Sequence, residues 1–395
     1  MTLSAKTDHD VIIVGGGPAG SATAIRLADS GLSVMLVEKA RFPRQKLCGE
    51  FISPECLLHF AELGVADDIR LSGGVDIAET VFYSRNGKGV AVKSEWFGYE
   101  GSLALGLSRA EMDDVLLKRA SQVGVAVYEE TTAAGLIFDS DRVIGVRLKD
   151  KDGVETPVTA TLVIDATGRT RSLARRLEKD AGRHKRAGHV AFKAHLTGAQ
   201  IAPSACEIFA YRGGYGGCNN IENGLFNLCF IAAAEDVKRC GSDAERVMRE
   251  VVCTNKRAAK VLENVAAKSE WLAVPIERYG RGELVPAQGL LTVGDSAAFI
   301  DPFTGSGILL ALESARIAAA AVAESFAADR DLETLAAEYQ LQYSKAFDAR
   351  LRVCRVLRHA ASMPFLADAT ISVLRASGGL SRRIARATRL AARSA

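Results

Sequence analysis

The most conspicuous absence in this chain of 395 residues is a long apolar run. A membrane-spanning helix needs about 18 or more consecutive apolar residues. Glu313 and Arg316 interrupt the most apolar candidate, at 308–323. The N-terminal residues also lack the apolar core of a secretory signal. We therefore expect neither a spanning helix nor a secreted protein.

The eight cysteines show no regular pairing. Their spacing matches neither a zinc site nor a close CxxC motif, so we expect reduced thiols, no bound metal and a cytoplasmic location. Internal repeats and low-complexity segments are absent as well. The net charge is only +3, from 50 basic and 47 acidic residues, and we expect no nucleic-acid partner. At about 150 residues per domain, the length predicts two or three domains.

What the chain does have is a glycine-rich turn between an apolar strand and a helix. The strand at 11–14 runs directly into Gly15, Gly17 and Gly20. This spacing is typical of a dinucleotide-binding turn: the first glycine permits the tight turn, the second lets the backbone approach a pyrophosphate, and the third lets the helix pack closely. The helix N-terminus then presents free N–H groups to the phosphates.

A second apolar strand, at 34–37, ends in Glu38, 18 residues after Gly20. A carboxylate at this position accepts hydrogen bonds from ribose hydroxyls and suits an unphosphorylated ribose. FAD or NAD therefore fits better than NADP. A second nucleotide-binding turn is missing, because Gly213–Gly217 opens no clear helix, and we expect a loop there.

Hydrophobic patterning predicts elements of both kinds. Helices are predicted at 54–63, 108–123 (capped by Ser108) and 307–327, and strands at 125–128, 143–148, 156–160, 162–164 and 289–295. A hairpin of strands 81–84 and 90–92 is predicted around the two-residue turn Asn86-Gly87. Alternation from 189 to 276 predicts a second sheet, interrupted by a helical insert at 244–265.

Two further motifs lie far from the glycine turn. Asp165-Ala166-Thr167-Gly168-Arg169 follows a buried strand, and segment 294–308 joins Gly294-Asp295 to a glycine-rich turn that opens a helix. Together the three motifs resemble the flavoprotein superfamily that contains the single-component aromatic hydroxylases, the flavin-dependent halogenases and the geranylgeranyl reductases. The resemblance covers the chain up to about Gln340. It implies FAD as the cofactor, with NADH or NADPH as a transient reductant.

In that superfamily the acid after the late strand contacts the ribityl chain. The helix that follows directs N–H groups at the flavin ring, where negative charge collects on reduction. The resemblance implies cofactor contacts by Gly15, Gly17, Pro18, Ala19, Gly20, Glu38, Lys39, Arg44, Cys48, Gly49, Arg109, Val127, Asp165, Gly168, Gly294, Asp295, Pro302, Gly305, Ser306, Gly307 and Ile308. Taken singly, Asp295 could instead cap a helix, Arg109 could be a surface arginine and Asp165 could close a turn.

The segment 44–54 resembles one that, in geranylgeranyl reductases, runs beside the flavin ring and carries a cysteine-glycine pair. This implies that Cys48 lies near the ring as a candidate catalytic residue, and that Glu50 contacts ribose or pyrophosphate less directly. The alternative is that Cys48 is a small buried residue beside a glycine. Tyr215 and Phe226 could line a substrate pocket or belong to the sheet core.

Two departures from these relatives concern the substrate. Halogenases carry a two-tryptophan motif ending in Ile-Pro, and archaeal isoprenoid reductases carry a Tyr-x-Trp-x-Phe-Pro motif. The corresponding residues here, Glu270-Trp271-Leu272-Ala273-Val274-Pro275, match neither. Ser306 also replaces an acidic residue that is frequent in the reductase turn. We therefore expect no halogenation, and the substrate stays open.

The fold class we expect is α/β, with a Rossmann-like FAD-binding domain and its parallel sheet interleaved with a mixed-sheet substrate domain. The FAD-binding domain is predicted at 1–75, 105–180 and 281–340, the substrate domain at 76–104 and 181–280, and a basic helical C-terminal segment at 341–395. In that segment the arginines at 382, 386, 389 and 393 alternate with apolar residues. This C-terminal segment either contacts the inner face of an anionic membrane or presents a solvated helical face.

Three functions remain open. The leading hypothesis is an NAD(P)H-dependent monooxygenase that hydroxylates a hydrophobic, aromatic or polyketide-like small molecule. The second is an FAD-dependent reductase of isoprenoid double bonds, with Cys48 near the proton or hydride path. The third is a non-catalytic flavin-binding protein. The oligomeric state is not predicted.

Overall fold

The computed structural model describes residues 7–98, 100–178, 187–276, 279–299 and 305–362, and beyond them only Gly379 and Arg382. The first half of the chain forms β1 (His9–Val14), α1 (Pro18–Asp29), β2 (Val34–Val37), β3 (Phe51–Ile52), α2 (Pro54–Glu62), α3 (Ala66–Leu71), β4 (Val75–Ile77), β5 (Glu79–Tyr83), β6 (Gly89–Lys93), β7 (Ala104–Gly106), α4 (Arg109–Gln122), β8 (Ala126–Tyr128), β9 (Thr132–Asp139), β10 (Arg142–Lys149) and β11 (Glu155–Asp165). The second half forms β12 (His189–Thr197), β13 (Ala205–Tyr211), β14 (Gly214–Asn220), β15 (Phe226–Ala233), α5 (Ala234–Arg239), α6 (Ala244–Glu250), α7 (Lys256–Val261), β16 (Ala266–Ala267), β17 (Leu272–Ile276), β18 (Gly280–Arg281), β19 (Leu290–Thr292), β20 (Ala298–Phe299), α8 (Gly307–Ala327) and α9 (Leu332–Ser362).

The predicted parallel sheet is confirmed, with β8, β2, β1, β11 and β19 side by side in this order. The last four residues of β1 are all apolar and buried, because a parallel sheet is covered on both faces. Val11 and Ile13 share a core with α1, α4 and α8. Ile12 points to the opposite face, into a core shared with β9 and β10.

The two strands predicted at 156–160 and 162–164 are one continuous strand, β11. Its first half pairs antiparallel with β10, and its second half pairs parallel with β1. Thr161, the polar residue between the two apolar stretches, is buried within the strand and does not interrupt it. β9, which the sequence analysis missed, pairs with β10 at the antiparallel edge.

The predicted second sheet has eight strands, in the order β16-β12-β15-β14-β13-β5-β6, with β17 also paired to β12. Gly213–Gly217, expected to be a loop, is mostly strand β14. A Cβ on Gly214 would overlap the Ile231 carbonyl, and one on Gly216 would lie 2.9 Å from the Phe230 Cβ. At Gly214 and Gly216, glycine is therefore present because neighbouring strands approach closely, whereas Gly213, with a φ of +78°, lies in the turn before β14.

The hairpin of β5 and β6 is confirmed, but its turn is longer than predicted. The Ser84 N–H donates to the Lys88 carbonyl at 2.9 Å, which leaves three residues in the turn and not two. The helical insert predicted at 244–265 contains two short helices, α6 and α7. Each begins at its own polar cap, Asp243 and Asn255, which is why the insert is not one helix.

Alternation along β12 gives the second sheet two unlike faces. Phe192, Ala194 and Leu196 pack against α5, α6 and α7 on what we call the rear face. Lys193 and His195 lie on the opposite side, which we call the front face, and contact residues that precede α2. The polar side of this sheet is therefore the side that meets the other domain.

Helix α8 is confirmed with the predicted bounds. Helix α9 packs beside it, and the Tyr339 hydroxyl donates to the carbonyl of Thr292 in β19 at 2.6 Å. Of the basic helical segment predicted at 341–395, residues 341–362 belong to α9. The rest lies outside the described residues, apart from Gly379 and Arg382. Within the described ranges, no helix is both long enough and apolar enough to cross a membrane.

Candidate active site

The turn between β1 and α1 leaves no room for side chains at two glycines. Gly15 has a φ of +113°, and a Cβ there would overlap the Ala166 carbonyl. A Cβ on Gly20 would overlap the Gly15 carbonyl. Gly17 differs, because its φ of −75° suits any residue and an added Cβ would first meet Arg109 Nη2, at 3.6 Å. An added Cβ at Gly17 would therefore fit, in ordinary van der Waals contact with a cation.

Two arginines lie over Gly17, and one buried carboxylate holds both. Asp113 in α4 is fully buried and accepts from Arg109 Nε and Nη2, each at 2.7 Å, and from Arg44 Nη1 at 3.0 Å. Burial opposes the charge of Arg109, but Asp113 outweighs it and raises the arginine pKa above its ordinary value. The sequence analysis missed Asp113, although its helical spacing of four from Arg109 was an available signal.

Glu38 lies at the edge of the same turn. Its carboxylate is buried and accepts from the backbone N–H groups of Gly16, at 2.9 Å, and Ala40, at 3.0 Å. Lys39 is exposed beside it, and Val127 is partly buried on β8, the strand next to β2. These residues surround the end of β2, where the ribose is expected, and their contacts with a nucleotide stay predictions.

Asp165 closes a turn at the end of β11. Its buried carboxylate accepts from the Thr167 N–H and Oγ1, the N–H groups of Leu173 and Ala174, and Ser296 Oγ. Gly168, with a φ of +76°, lies in this turn, and its carbonyl also accepts from Ser296 Oγ. The carboxylate thus joins the second motif to the third. A direct cofactor contact by Asp165 or Gly168 stays a prediction.

Asp295 follows β19 in a short 3₁₀ turn at Gly294–Ser296. Burial raises the pKa of its carboxyl, and the positive charges of Arg109, Arg169 and Lys46 oppose this rise. These cations come from three separate segments of the chain. They make the region around Asp295 and the glycine turn suitable for an anionic group.

The N-terminus of α8 adjoins this region. Gly305 has a φ of +60°, Ser306 is fully buried and Ile308 lies in the first helical turn. The first intrahelical bond runs from the Leu310 N–H to the Ser306 carbonyl, so the preceding N–H groups have no intrahelical acceptor. A Cβ added at Gly307 would meet nothing within 4 Å. Pro302 lies outside the described residues.

A short segment, Cys48-Gly49-Glu50, separates this region from the front face of the second sheet. Cys48 is partly buried, and a Cβ added at Gly49 would meet nothing within 4 Å. Both Glu50 oxygens are taken by protein donors: Oε1 accepts from Lys193 Nζ at 2.6 Å, and Oε2 from His195 Nε2 at 2.7 Å. The expectation that Glu50 contacts ribose or pyrophosphate is therefore wrong, because its carboxylate faces the second sheet.

Sequence reasoning missed Lys193 and His195. The signal was present, because two basic residues alternate with Phe192, Ala194 and Leu196 in one strand. Such alternation is also the pattern of an ordinary strand with one solvated face. What distinguishes them is burial, with Lys193 only 1% and His195 only 4% exposed, and burial was not visible in the sequence.

Beside this polar cluster lies a set of apolar side chains that we call the apolar patch, consisting of Leu47, Tyr215, Ile231, Tyr279 and Phe299. The rings of Tyr279 and Phe299 stack with centroids 5.3 Å apart. The patch therefore places an apolar surface against segment 47–50.

The structure places the two aromatic residues that were left open on different faces of the second sheet. Tyr215 belongs to the apolar patch on the front face, and its contact with a substrate stays a prediction. Phe226 packs with the rear-face core. Trp271 also lies there and meets Phe230 edge to face, with ring centroids 5.7 Å apart. The tryptophan in the segment that was compared with the halogenase motif therefore lies on the far side of the sheet from Cys48.

These features fit a flavin dinucleotide. Two anchored arginines lie over the one glycine of the turn that has room, which suits a pyrophosphate. The open space at Gly49 and at Gly307, the first residue of α8, leaves room for a ring system near Cys48. The residues that would hold it come from the glycine turn, α4, β19 and α8.

The comparison with protein families agrees with this geometry. Residues 8–344 match the family described as FAD binding domain. The chain belongs to this family. FAD as the cofactor is therefore established at the level of the family, as is an FAD-dependent oxidoreductase activity.

Individual relatives include enzymes with different reactions. Over 348 residues, covering 86% of this chain and 81% of the relative, the sequence is 30% identical to a digeranylgeranylglycerophospholipid reductase of Methanosarcina acetivorans. It is 28% identical over 365 residues to a tryptophan 2-halogenase of Chondromyces crocatus, covering 88% of this chain and 67% of the relative.

Solved structures give the same fold. A geranylgeranyl bacteriochlorophyll reductase-like protein of Thermoplasma acidophilum superposes with a TM-score of 0.79 at 20% identity, and the match covers 96% of each chain. At this identity the likeness concerns the fold alone. The resemblance to geranylgeranyl reductases and related flavoproteins, stated from the sequence motifs, is confirmed.

Proposed function

We propose that this flavoprotein reduces a carbon–carbon double bond in a lipophilic, prenyl-type substrate. The observation that carries the proposal is the juxtaposition of Cys48, the space at Gly49 and the apolar patch between the two sheets. The relative from Methanosarcina acetivorans, which is named for the reduction of a digeranylgeranyl lipid, supports the substrate class.

Reduction of a double bond requires a hydride at one carbon and a proton at the other. FAD, when bound and reduced, supplies the hydride. The Cys48 thiol is a proton-bearing group of this chain beside the open space at Gly49, and it would deliver the proton and regain one from solvent. The apolar patch would hold the hydrocarbon chain and exclude water from the reacting carbons.

A second candidate is the NAD(P)H-dependent hydroxylation of an aromatic substrate. The stacked rings of Tyr279 and Phe299 favour it, because aromatic side chains bind planar rings well. The two candidates differ in their use of oxygen. Hydroxylation consumes oxygen and adds one oxygen atom, whereas reduction proceeds without oxygen and adds two hydrogens.

The test uses the FAD-loaded protein, reduced with dithionite in the absence of oxygen and mixed with geranylgeraniol or with vesicles that contain a geranylgeranyl lipid. We expect a product two hydrogens heavier by mass spectrometry, formed more slowly by Cys48→Ala. Repeating the assay in air with NADH or NADPH and hydrophobic phenols tests hydroxylation. Conversion only in air would overturn the reductase proposal, and no conversion in either assay would leave only flavin binding.

A further inference from the structure

We infer that Glu50, Lys193 and His195 are positioning residues that lock segment 48–50 onto the front face and thereby fix the Cys48 thiol. The inference rests on the proposed function, in which the Cys48 thiol delivers a proton and must therefore be held in place. The contacts on which it depends do not require any particular substrate.

The three side chains form a closed, buried cluster between the two domains. Glu50 is fully buried, and its carboxylate accepts from Lys193 and His195 at 2.6 and 2.7 Å. Oε1 also accepts from the backbone N–H of Arg109, at 2.8 Å. Lys193 Nζ has a second acceptor, Gln45 Oε1, at 2.9 Å. The contacts of Lys193 and His195 thus join the front face to the flavin-binding side, and the Arg109 N–H joins Glu50 to α4.

The backbone of the segment is held by the front face as well. The Asn227 Nδ2 donates to the Cys48 carbonyl and the Asn219 Nδ2 to the Glu50 carbonyl, each at 3.3 Å. Lys193, His195, Asn219 and Asn227 come from three adjacent strands, β12, β14 and β15, and they all contact one segment. Four separate side chains of one sheet face therefore converge on a few residues of the other domain.

The conformation of Glu50 shows why such a lock is needed. Glu50 has a φ of +51°, in the left-handed region that disfavours a residue with a side chain. In this conformation its N–H points at Cys48 Sγ, 3.4 Å away. The Arg109 side chain also contacts the thiol. Loss of the lock would release the strain at Glu50, and with it the contact of the Glu50 N–H with the thiol.

The charge of the cluster supports the same role. Burial alone would raise the pKa of Glu50, but the hydrogen bond from His195 and the charge of Lys193 outweigh it and lower the pKa. Glu50 is therefore a carboxylate at neutral pH and can only accept. Because it accepts from His195 Nε2, that nitrogen carries the proton.

The test measures the alkylation rate of Cys48 by iodoacetamide in the FAD-loaded protein, with the modified peptide identified by mass spectrometry. His195→Leu removes the donor to Glu50, whereas His195→Gln keeps an N–H donor near the same place. We expect alkylation about tenfold faster in His195→Leu, as for the loss of one hydrogen bond to a charged group, and a rate within about twofold of the original in His195→Gln. Lys268→Met, an exposed change next to β12, serves as the control and leaves the rate unchanged.

Thermal unfolding establishes that each variant is folded. If His195→Leu does not fold, Asn227→Ala provides the same test, because it removes only the donor to the Cys48 carbonyl. An unchanged Cys48 rate in the folded Leu or Ala variant overturns the inference, as does a Gln variant that behaves like Leu. If alkylation is faster in the variant but the original protein fails the reduction assay, the inference about the lock stands and only the proposed function is overturned.

Discussion

The substitution Gly17→Ala should weaken FAD binding while leaving the stability of the FAD-free protein nearly unchanged. An added methyl group would lie 3.6 Å from Arg109 Nη2 and 3.9 Å from Arg44 Nη2, and the backbone at this position suits alanine. The cost of alanine in place of glycine at a helix N-cap, about 0.5–1 kcal/mol, is roughly offset by the lower chain entropy of the unfolded state. We therefore expect the free energy of unfolding of the FAD-free protein to change by less than about 1 kcal/mol.

FAD binding should respond very differently. The methyl group would occupy the space between the turn and the two arginines, where the pyrophosphate is expected, and would prevent the backbone N–H groups from reaching it. Loss of one charge-assisted hydrogen bond costs about 1.5–3 kcal/mol. We expect the dissociation constant to rise about 10-fold to 100-fold, measured by quenching of flavin fluorescence as the FAD-free protein is added.

Two matched variants complete this test. Gly20→Ala would drive a methyl group into the Gly15 carbonyl, and should destabilise the FAD-free protein by about 1–3 kcal/mol or more. Gly188→Ala, in the other domain and with nothing within 4 Å of the added Cβ, should affect neither measurement. If Gly17→Ala binds FAD as tightly as the original protein, the pyrophosphate does not lie at this turn.

Four further predictions follow from the site. Asp113→Ala leaves two guanidinium groups without their shared carboxylate, and should lower the free energy of unfolding in urea by about 3 kcal/mol. Glu50 has a lowered pKa when folded, so the stability difference between the original protein and Glu50→Gln should be full above pH 4.5 and shrink as the pH falls below it. Cys48→Ala should keep FAD binding but slow double-bond reduction at least about tenfold. Replacing the four arginines at 382, 386, 389 and 393 with alanine should abolish salt-sensitive flotation with anionic vesicles.

Each of these has a contradicting result, and the variants at Asp113 and Cys48 also have a matched control. The control is Asp114→Ala, which removes a surface ion pair with Lys118 and should lower the free energy of unfolding by less than about 1 kcal/mol. If Asp113→Ala lowers the free energy of unfolding by no more than this control, Asp113 does not anchor the two arginines. A pH-independent difference for Glu50→Gln would mean that the folded carboxyl titrates normally. Unchanged turnover in Cys48→Ala, with Cys229→Ala as its control, would remove the thiol from the proton path. Absence of flotation by the original protein would favour the solvated helical face.

The sequence predicted the glycine turn and helix α8 well because the requirements of both are largely local. Gly15 is required locally by its φ of +113°, and Gly20 by the Gly15 carbonyl that an added Cβ would overlap. The bounds of α8 follow from its own composition. The residues that anchor this site were harder to find. Asp113 acts through two arginines, one of them 69 residues away in the chain, and only the folded structure brings them together.

The front face was not predictable for a related reason. Lys193 and His195 read as the solvated side of a strand, because alternation reveals that a sheet has two faces but not what covers each one. Their partner Glu50 lies 143 and 145 residues away. The glycines of β14 were misread because a close approach between strands and a turn use the same residue for different reasons.

The most direct test of the central claim is a single reduction cycle without oxygen. The FAD-loaded protein is reduced, the geranylgeranyl substrate is added anaerobically, and the flavin absorbance is followed. We predict that the flavin is reoxidised as the substrate gains two hydrogens. A flavin that stays reduced with every prenyl substrate, and reoxidises only when oxygen is admitted, would contradict the proposed reaction.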